Sequence, residues 1–248
     1  MSSLNWLERY REGRRAEVWH ELRQLGAGSR DGGLEEEAQS VCDEMAGRAR
    51  RNVEVIIERL SDAGYRFHTN DDDQETVVPH VPPTAEAPAL ADWLEEWFGA
   101  VPMTLLSWLR IVGDVWLVGT HPEWPTTAAA DPLVIEVEGS RYPGPSPSGS
   151  INEEFAAWQD WAATDPDAGP FMLPLAPDRF HKANVSGGDP YGMFLPDGCA
   201  DGLFVGDGTT PFVSYLNSVF RNGGFPRQTG SAAEWRLRNS LAADLLPL

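Results

Sequence analysis

The sequence predicts an α+β fold, a helical N-terminal hairpin followed by a mostly antiparallel sheet flanked by helices. Three observations carry this reading. Apolar residues recur every three or four positions through residues 4–63, short apolar runs bounded by glycine and proline come next, and helical segments return among those runs. Regular alternation of strand and helix, the mark of a parallel sheet, is not visible.

The first helix is LNWLERYREGRRAEVWHELRQLG, where Leu4, Leu7, Tyr10, Val18, Trp19, Leu22 and Leu25 form an apolar face interrupted at Gly13. It stops at the glycine-rich GAGSRDGG. A second helix runs from Leu34 to Ala63, with Ala38, Val41, Met45, Ala49, Val53, Ile56 and Leu60 on one face and Gly64 at its end. Tyr65 to Phe67 reads as a short strand, and TNDDDQETVVPHVPPTAEAP as an acidic, proline-rich surface connector. ALADWLEEWFG then predicts a helix, and Pro102 opens another that runs to Val112 and ends at Gly113.

Two apolar strands follow, DVWLVG (114–119) and PLVIEV (132–137), the second with Leu133, Ile135 and Val137 on one face. GSRYPGPSPSGS reads as a loop and INEEFAAWQDWAAT as a helix. Strands are expected at 171–176, 191–196 and 203–207, then a helix in TPFVSYLNSVFRNGG with Thr209 or Thr210 as N-cap and Pro211 in its first turn. SAAEWRLRNSLAADLL closes the chain as a helix. The expected organisation is a hairpin over 1–68, a connector over 69–88 and an α+β domain over 89–248, which together also suit one continuous domain.

Composition bounds the function. The net charge of −19 is unevenly spread: residues 1–66 hold 13 acids and 11 arginines, and residues 67–248 hold 25 acids against 8 bases. Such a body repels nucleic acid and suits a cationic partner, although acidity also serves solubility alone. No run approaches the roughly 18 apolar residues a membrane span needs, and the start has no apolar stretch after a basic one, so a cytoplasmic protein that does not enter membranes is expected. Cys42 and Cys199 lack C-x-x-C spacing and read as free thiols.

Residues 181–192, HKANVSGGDPYG, contain Lys182, the one lysine of the chain. Eighteen arginines to one lysine points to coding bias, which discounts that rarity. Gly187-Gly188-Asp189-Pro190 predicts a tight turn in which glycine supplies φ > 0, with Asn184 and Ser186 bonding nearby backbone. The competing reading makes His181, Lys182, Asn184 and Ser186 a grip for an anionic ligand. The lysine precedes the glycines, so this is not a phosphate-binding P-loop. His121 has no second histidine nearby, and Asp71, Asp72 and Asp73 lack calcium-loop spacing, so no metal or other cofactor is expected. No catalytic residue is assigned: the G-x-S-x-G elbow is absent, and Glu95-Glu96 and Glu153-Glu154 point along diverging helix directions. The ten tryptophans fall mostly on expected core faces, which favours packing over ligand platforms.

Two stretches carry a resemblance. GAVPMTLLSWLRIVGDVWLVGTHPEW is similar to the helix, glycine and strand unit of SUKH-type (Smi/Knr-like) proteins, with Gly113-Asp114 where that superfamily often has a glycine pair. PDRFHKANVSGGDPYGMFLPD followed by TPFVSYLNSVFRNGGFP resembles a poorly characterised bacterial group attached to it. The resemblance covers about residues 85–226 and implies a binding surface, used in bacteria largely by immunity proteins against toxins, with no catalytic residues. The expectation is therefore a non-enzymatic module that occludes a basic, nuclease-like toxin. Asp71, Asp72, Asp73, Asp92, Glu95 and Glu96 are the expected partner surface. The alternatives are an enzyme or small-molecule binder at the 181–188 loop, and a scaffold that oligomerises through residues 4–63.

Overall fold

The computed structural model describes residues 5–139, 146–230 and 232–248 and has an α+β architecture. The expected first helix is two pieces, α1 (Trp6–Arg11) and α2 (Arg15–Leu25), separated where Gly13 adopts φ 100°. Leu4 lies outside the described residues. α3 (Glu35–Asp62) is the long helix of the fold. Glu35, Glu36 and Glu37 occupy its first turn, where carboxylates oppose the positive end of the helix dipole. Its buried stripe passes through Val41, Met45, Ala49, Val53, Ile56 and Leu60, and Gly64 at φ 78° ends the run.

The strands are short and all pair antiparallel, and they form three sheets rather than one. β1 (Arg66–Phe67) pairs with β4 (Gly119–Thr120), while β2 (His80–Val81), β3 (Asp114–Trp116) and β5 (Val134–Ile135) form the second sheet. β6 (Phe171–Ala176), β7 (Tyr191–Leu195), β8 (Leu203–Val205) and β9 (Thr209–Pro211) form the third, in sequence order. The expected 114–119 strand splits because its ends serve different partners: β3 bonds β2 and β5, and β4 bonds β1. A backbone bond from Glu136 N to Leu175 O at 2.8 Å links the second and third sheets, and the β1–β4 pairing continues through His68 N to Val118 O at 3.2 Å.

Helices fill the intervals. α4 (Ala87–Phe98) buries Leu90, Ala91 and Leu94; α5 (Met103–Ser107) continues as one π-helical turn over Trp108–Val112 and stops at Gly113. Gly113 has φ 89°, and a Cβ there would collide with the Val81 carbonyl oxygen, so the site needs glycine for both space and backbone freedom. α6 (Pro147–Ala162), the single-turn α7 (Arg179–Lys182), α8 (Phe212–Arg221) and α9 (Ala232–Ala242) complete the chain.

Several expectations change. The 69–88 connector contributes β2 to the second sheet instead of only crossing the surface. The 132–137 run does not alternate, because Leu133, Val134 and Ile135 are all buried between layers. Of the loop read over 139–150, residues 140–145 lie outside the described residues, and 147–150 already belong to α6, which Ser146 caps from Oγ to Gly149 N. Thr209 and Thr210 pair in β9, leaving Pro211 to precede the first turn of α8.

One buried apolar cluster extends from Trp6 to Leu248. Polar clips hold the chain ends to it. Asn52, buried mid-way along α3, donates to Leu246 O at 2.8 Å and accepts from Leu246 N at 2.7 Å. Asn217 does the same for Leu248, at 3.2 and 3.0 Å. No helix among the described residues is long and apolar enough to cross a membrane. Neither Cys42 nor Cys199 is in a disulfide.

At the other end, Glu21 joins α1 to α2 by accepting from Arg9 Nη1 at 2.8 Å and Trp6 Nε1 at 2.9 Å. The Arg9 and Trp6 hydrogen bonds hold its carboxyl at about 2 against an ordinary 4.5. A depressed carboxyl stabilises the fold above its unfolded pKa and loses that contribution as pH falls through the folded one. Thermal unfolding should therefore show the gap between wild type and Glu21→Gln at full size near about pH 6, shrinking below about pH 4.5 and closing near about pH 2. Because the side chain is 37% exposed, the gap will be modest.

Candidate functional site

Two regions concentrate side chains that could act: the loop after α7, and the outer face of α4 and α6. In the first, Asp178 caps α7, accepting from Phe180 N at 2.6 Å and His181 N at 3.3 Å, and also binds the His181 ring through Nδ1. Burial pushes the Asp178 carboxyl upward, but the His181 ring and the two backbone donors outweigh it, and the net shift is downward. The next residue, Lys182, turns inward.

Lys182 is buried, and its Nζ donates to Asp131 Oδ1 at 2.7 Å while lying 4.8 Å from the Tyr191 ring centroid. Asp131 ends the 3-10 turn Thr127–Ala130 in the left-handed region, φ 58°. Burial is the largest influence on the ammonium and lowers its pKa below the ordinary lysine value despite Asp131. Tyr191 Oη donates to Asp207 Oδ1 at 3.1 Å, and Asp207 in turn receives Arg179 Nε at 3.2 Å and Arg227 Nη1. The Lys182 partner lies 51 positions away, so nothing local in the sequence could have named it.

His181, Asn184 and Ser186 stay at the surface, so the four residues read as an anion grip do not share one face. His181 is engaged by Asp178, and Asn184 Nδ2 donates to Asp72 Oδ1 at 2.7 Å instead of bonding nearby backbone. The φ > 0 position is Asn184, at 56°, whereas Gly187 and Gly188 do not adopt it. Gly187 is needed for close approach: a Cβ there would strike the Phe180 side chain and lie 2.8 Å from Asp178 Oδ1. Asparagine tolerates the left-handed region, which is why the turn chemistry could move off the glycine pair.

The six acids expected to meet a partner are held in two places. Asp71 closes a turn by accepting from Thr69 Oγ1 at 2.7 Å and Gln74 N at 3.0 Å, Asp72 holds Asn184, and Asn70 Nδ2 donates to His181 O at 2.9 Å. That acidic turn, including exposed Asp73, is thus docked on the 181–184 loop. On α4, Asp92 meets Arg110 at 3.2 Å and Glu95 meets Arg30 at 2.9 Å, while Glu96 is exposed and unpaired among the described residues.

The second region is one that sequence reasoning assigned to packing. Ring contacts run from Trp97 to Trp93 (5.9 Å, stacked), through Phe98 (6.4 Å) to Phe155 (5.2 Å) and Trp158 (5.4 Å). The inner rings close over Phe171 of β6, but Trp97 is 53% and Trp161 50% exposed. The two helices also carry acids, Asp92, Glu95 and Glu96 on α4, of which the first two are paired with Arg110 and Arg30, and Glu153, Glu154 and Asp160 on α6, and neither helix itself contains a basic residue. The signal in the sequence was the excess of aromatics over what one apolar stripe can hold: Leu90, Ala91 and Leu94 already fill the buried side of α4.

The remaining candidates are structural. Trp124 is buried against Phe225, with Nε1 donating to Thr229 Oγ1 at 2.7 Å, and His121 Nδ1 accepts from Glu123 N at 3.1 Å. Among the described residues no group of three His, Cys, Asp or Glu is placed to hold a metal ion. Comparison of this chain with protein-family models, curated proteins and solved structures finds no match.

The ion pair carries a prediction. Lys182→Met leaves Asp131 charged, buried and uncompensated, and should cost about 3–5 kcal/mol in urea unfolding. Adding Asp131→Asn, which keeps a residue tolerant of φ > 0, should recover much of that loss. A change below about 1 kcal/mol in the single variant would place the ammonium in solvent.

Proposed function

We propose that this chain is a non-enzymatic, SUKH-like protein-binding module that takes a cationic partner on the α4 and α6 face. In its biological form it is a bacterial immunity protein that neutralises a basic, nuclease-like toxin by occlusion. The observation that carries this reading is the pair of half-exposed tryptophans, Trp97 and Trp161, on two helices that hold six acids and no base. Large rings supply the apolar contact that dominates most interfaces, and acids left without a paired base, such as Glu96, speed the approach of a cationic surface and reject an anionic one. The net charge of −19 extends that steering field over the molecule.

The alternative, an anion grip in the 181–188 loop, is less well supported because its one lysine is enclosed with Asp131. His181 and Asn184 there are occupied by Asp178 and Asp72.

The test is protection. Cells expressing the toxin encoded beside this gene should survive with the wild-type chain and die with the variant Trp97→Ser/Trp161→Ser/Glu96→Lys, all three positions being exposed and the variant retaining its thermal stability. The affinity of the purified pair should fall as salt rises, as expected for steering by unpaired surface acids. Equal killing with and without the wild-type chain, or full protection by the triple variant, would overturn the proposal.

A further inference from the structure

The half-exposed tryptophans differ in what surrounds them. Trp97 lies on Trp93, with ring centroids 5.9 Å apart and planes inclined by 16°, because positions four apart on α4 are neighbours on its surface. One face of the Trp97 indole is therefore covered. An exposure of 53% then has to come from the opposite face and the edges, so the stack ends in an open ring surface whose π-cloud is negative.

The charge beside the stack is negative as well. Glu96 follows Trp93 by three positions, which places the two side chains side by side on the helix, and it is exposed and unpaired among the described residues. Asp92 shows what these carboxylates take: it accepts a guanidinium, Arg110 Nη2 at 3.2 Å, while its own side chain stays 77% exposed.

This combination discriminates between ligand groups. An anion is repelled, a neutral planar group gains stacking alone, and a cation gains from both the ring and the carboxylate field. Between the two cationic side chains, shape and hydration decide. A guanidinium is flat and weakly hydrated, so it can lie on an indole while its edge still donates to a carboxylate. An ammonium is compact and strongly hydrated, and it cannot extend a stack.

We propose that Trp93 and Trp97 form an arginine-recognition site, in which a guanidinium of the partner lies on the open face of Trp97 as the third layer of the stack, in the field of Glu96. The inference rests on the reading of the α4 and α6 face as a docking surface for a cationic protein, and adds the side chain that this surface selects. Trp235 provides an internal control. It is as exposed as Trp97, at 54%, but Arg236 follows it on α9, and the acid of that helix, Glu234, is buried against Arg238.

Hexa-arginine and hexa-lysine, equal in charge and different in head group, are the probes. Titrated into the full chain at about 0.15 M salt, both should bind through the net charge of −19, hexa-arginine about fivefold more tightly, the size of one exposed cation-π contact. Trp97→Leu keeps an apolar side chain and every charge, so it should cut that preference at least about threefold and leave hexa-lysine binding unchanged. Trp97→Tyr, which restores an aromatic face, should recover most of the preference, and Trp235→Leu should leave it intact. The substituted side chains are half-exposed, so the variants should melt with the wild type. Equal affinity of the wild type for the two peptides, an unchanged preference in Trp97→Leu, or an equal loss in Trp235→Leu would each overturn the assignment. Protection from the toxin is scored separately: its failure beside an intact, Trp97-dependent arginine preference would strike the toxin reading and not the recognition site.

Discussion

The C-terminal half of this fold is organised around an ammonium that cannot reach water. Lys182 enters the interior from a single helical turn, and a buried cation persists only with a partner at hydrogen-bonding distance. Asp131 meets that demand from a turn in the left-handed region, which fixes how the chain leaves Thr127–Ala130 for β5. Tyr191 covers the pair with its ring, Asp207 takes the tyrosine hydroxyl, and two arginines neutralise Asp207. Each of these groups is placed by the need to satisfy the one before it. The outer loop then inherits its shape, with Gly187 packed against the α7 cap and Asn184 tied to the Asp71–Asp73 turn.

The same logic explains how a chain of net charge −19 keeps most of its arginines inside its own structure. Arg23 neutralises the buried Asp201, Arg30 reaches Glu95, and Arg238 pairs with the buried Glu234. Arg59 donates to the backbone carbonyls of Ser240, Leu241 and Ala243 near the end of α9. Guanidinium groups suit this work because their planar fork meets several oxygens at once. Two of the three α4 acids are answered in this way, Glu95 by Arg30 and Asp92 by Arg110, which leaves Glu96 as the α4 acid without a paired base among the described residues.

What was legible in the sequence was whatever depends on near neighbours. The period of Val41, Met45, Val53 and Leu60 marks α3, and Gly13, Gly64 and Gly113 mark breaks because their backbone conformations exclude most side chains. The runs at 171–176, 191–196 and 203–207 hold strands as their apolar, turn-bounded character predicts, the last two ending early at Leu195 and Val205. What depends on distant partners was not legible. Nothing near Lys182 points to Asp131, and nothing near Asn184 points to Asp72. The division of residues 114–120 between two sheets follows from pairings with β1, β2 and β5, each remote in sequence. Most of the tryptophans pack as their spacing predicts, but the exposure of Trp97 was not legible for a related reason: helical spacing says that it flanks the stripe of Leu90 and Leu94, and not what else covers it.

Because Lys182 is the one lysine of the chain, its burial can be measured without labelling or mutation. An amine-acetylating reagent in excess, read by intact mass, has only the α-amino group and Lys182 to modify. With the ammonium enclosed against Asp131, the native protein should take one acetyl group promptly and a second only when denaturant unfolds it. Two groups added to the native protein at the rate of a free lysine would contradict the account, and would place the Lys182 ammonium at the surface as an available cation.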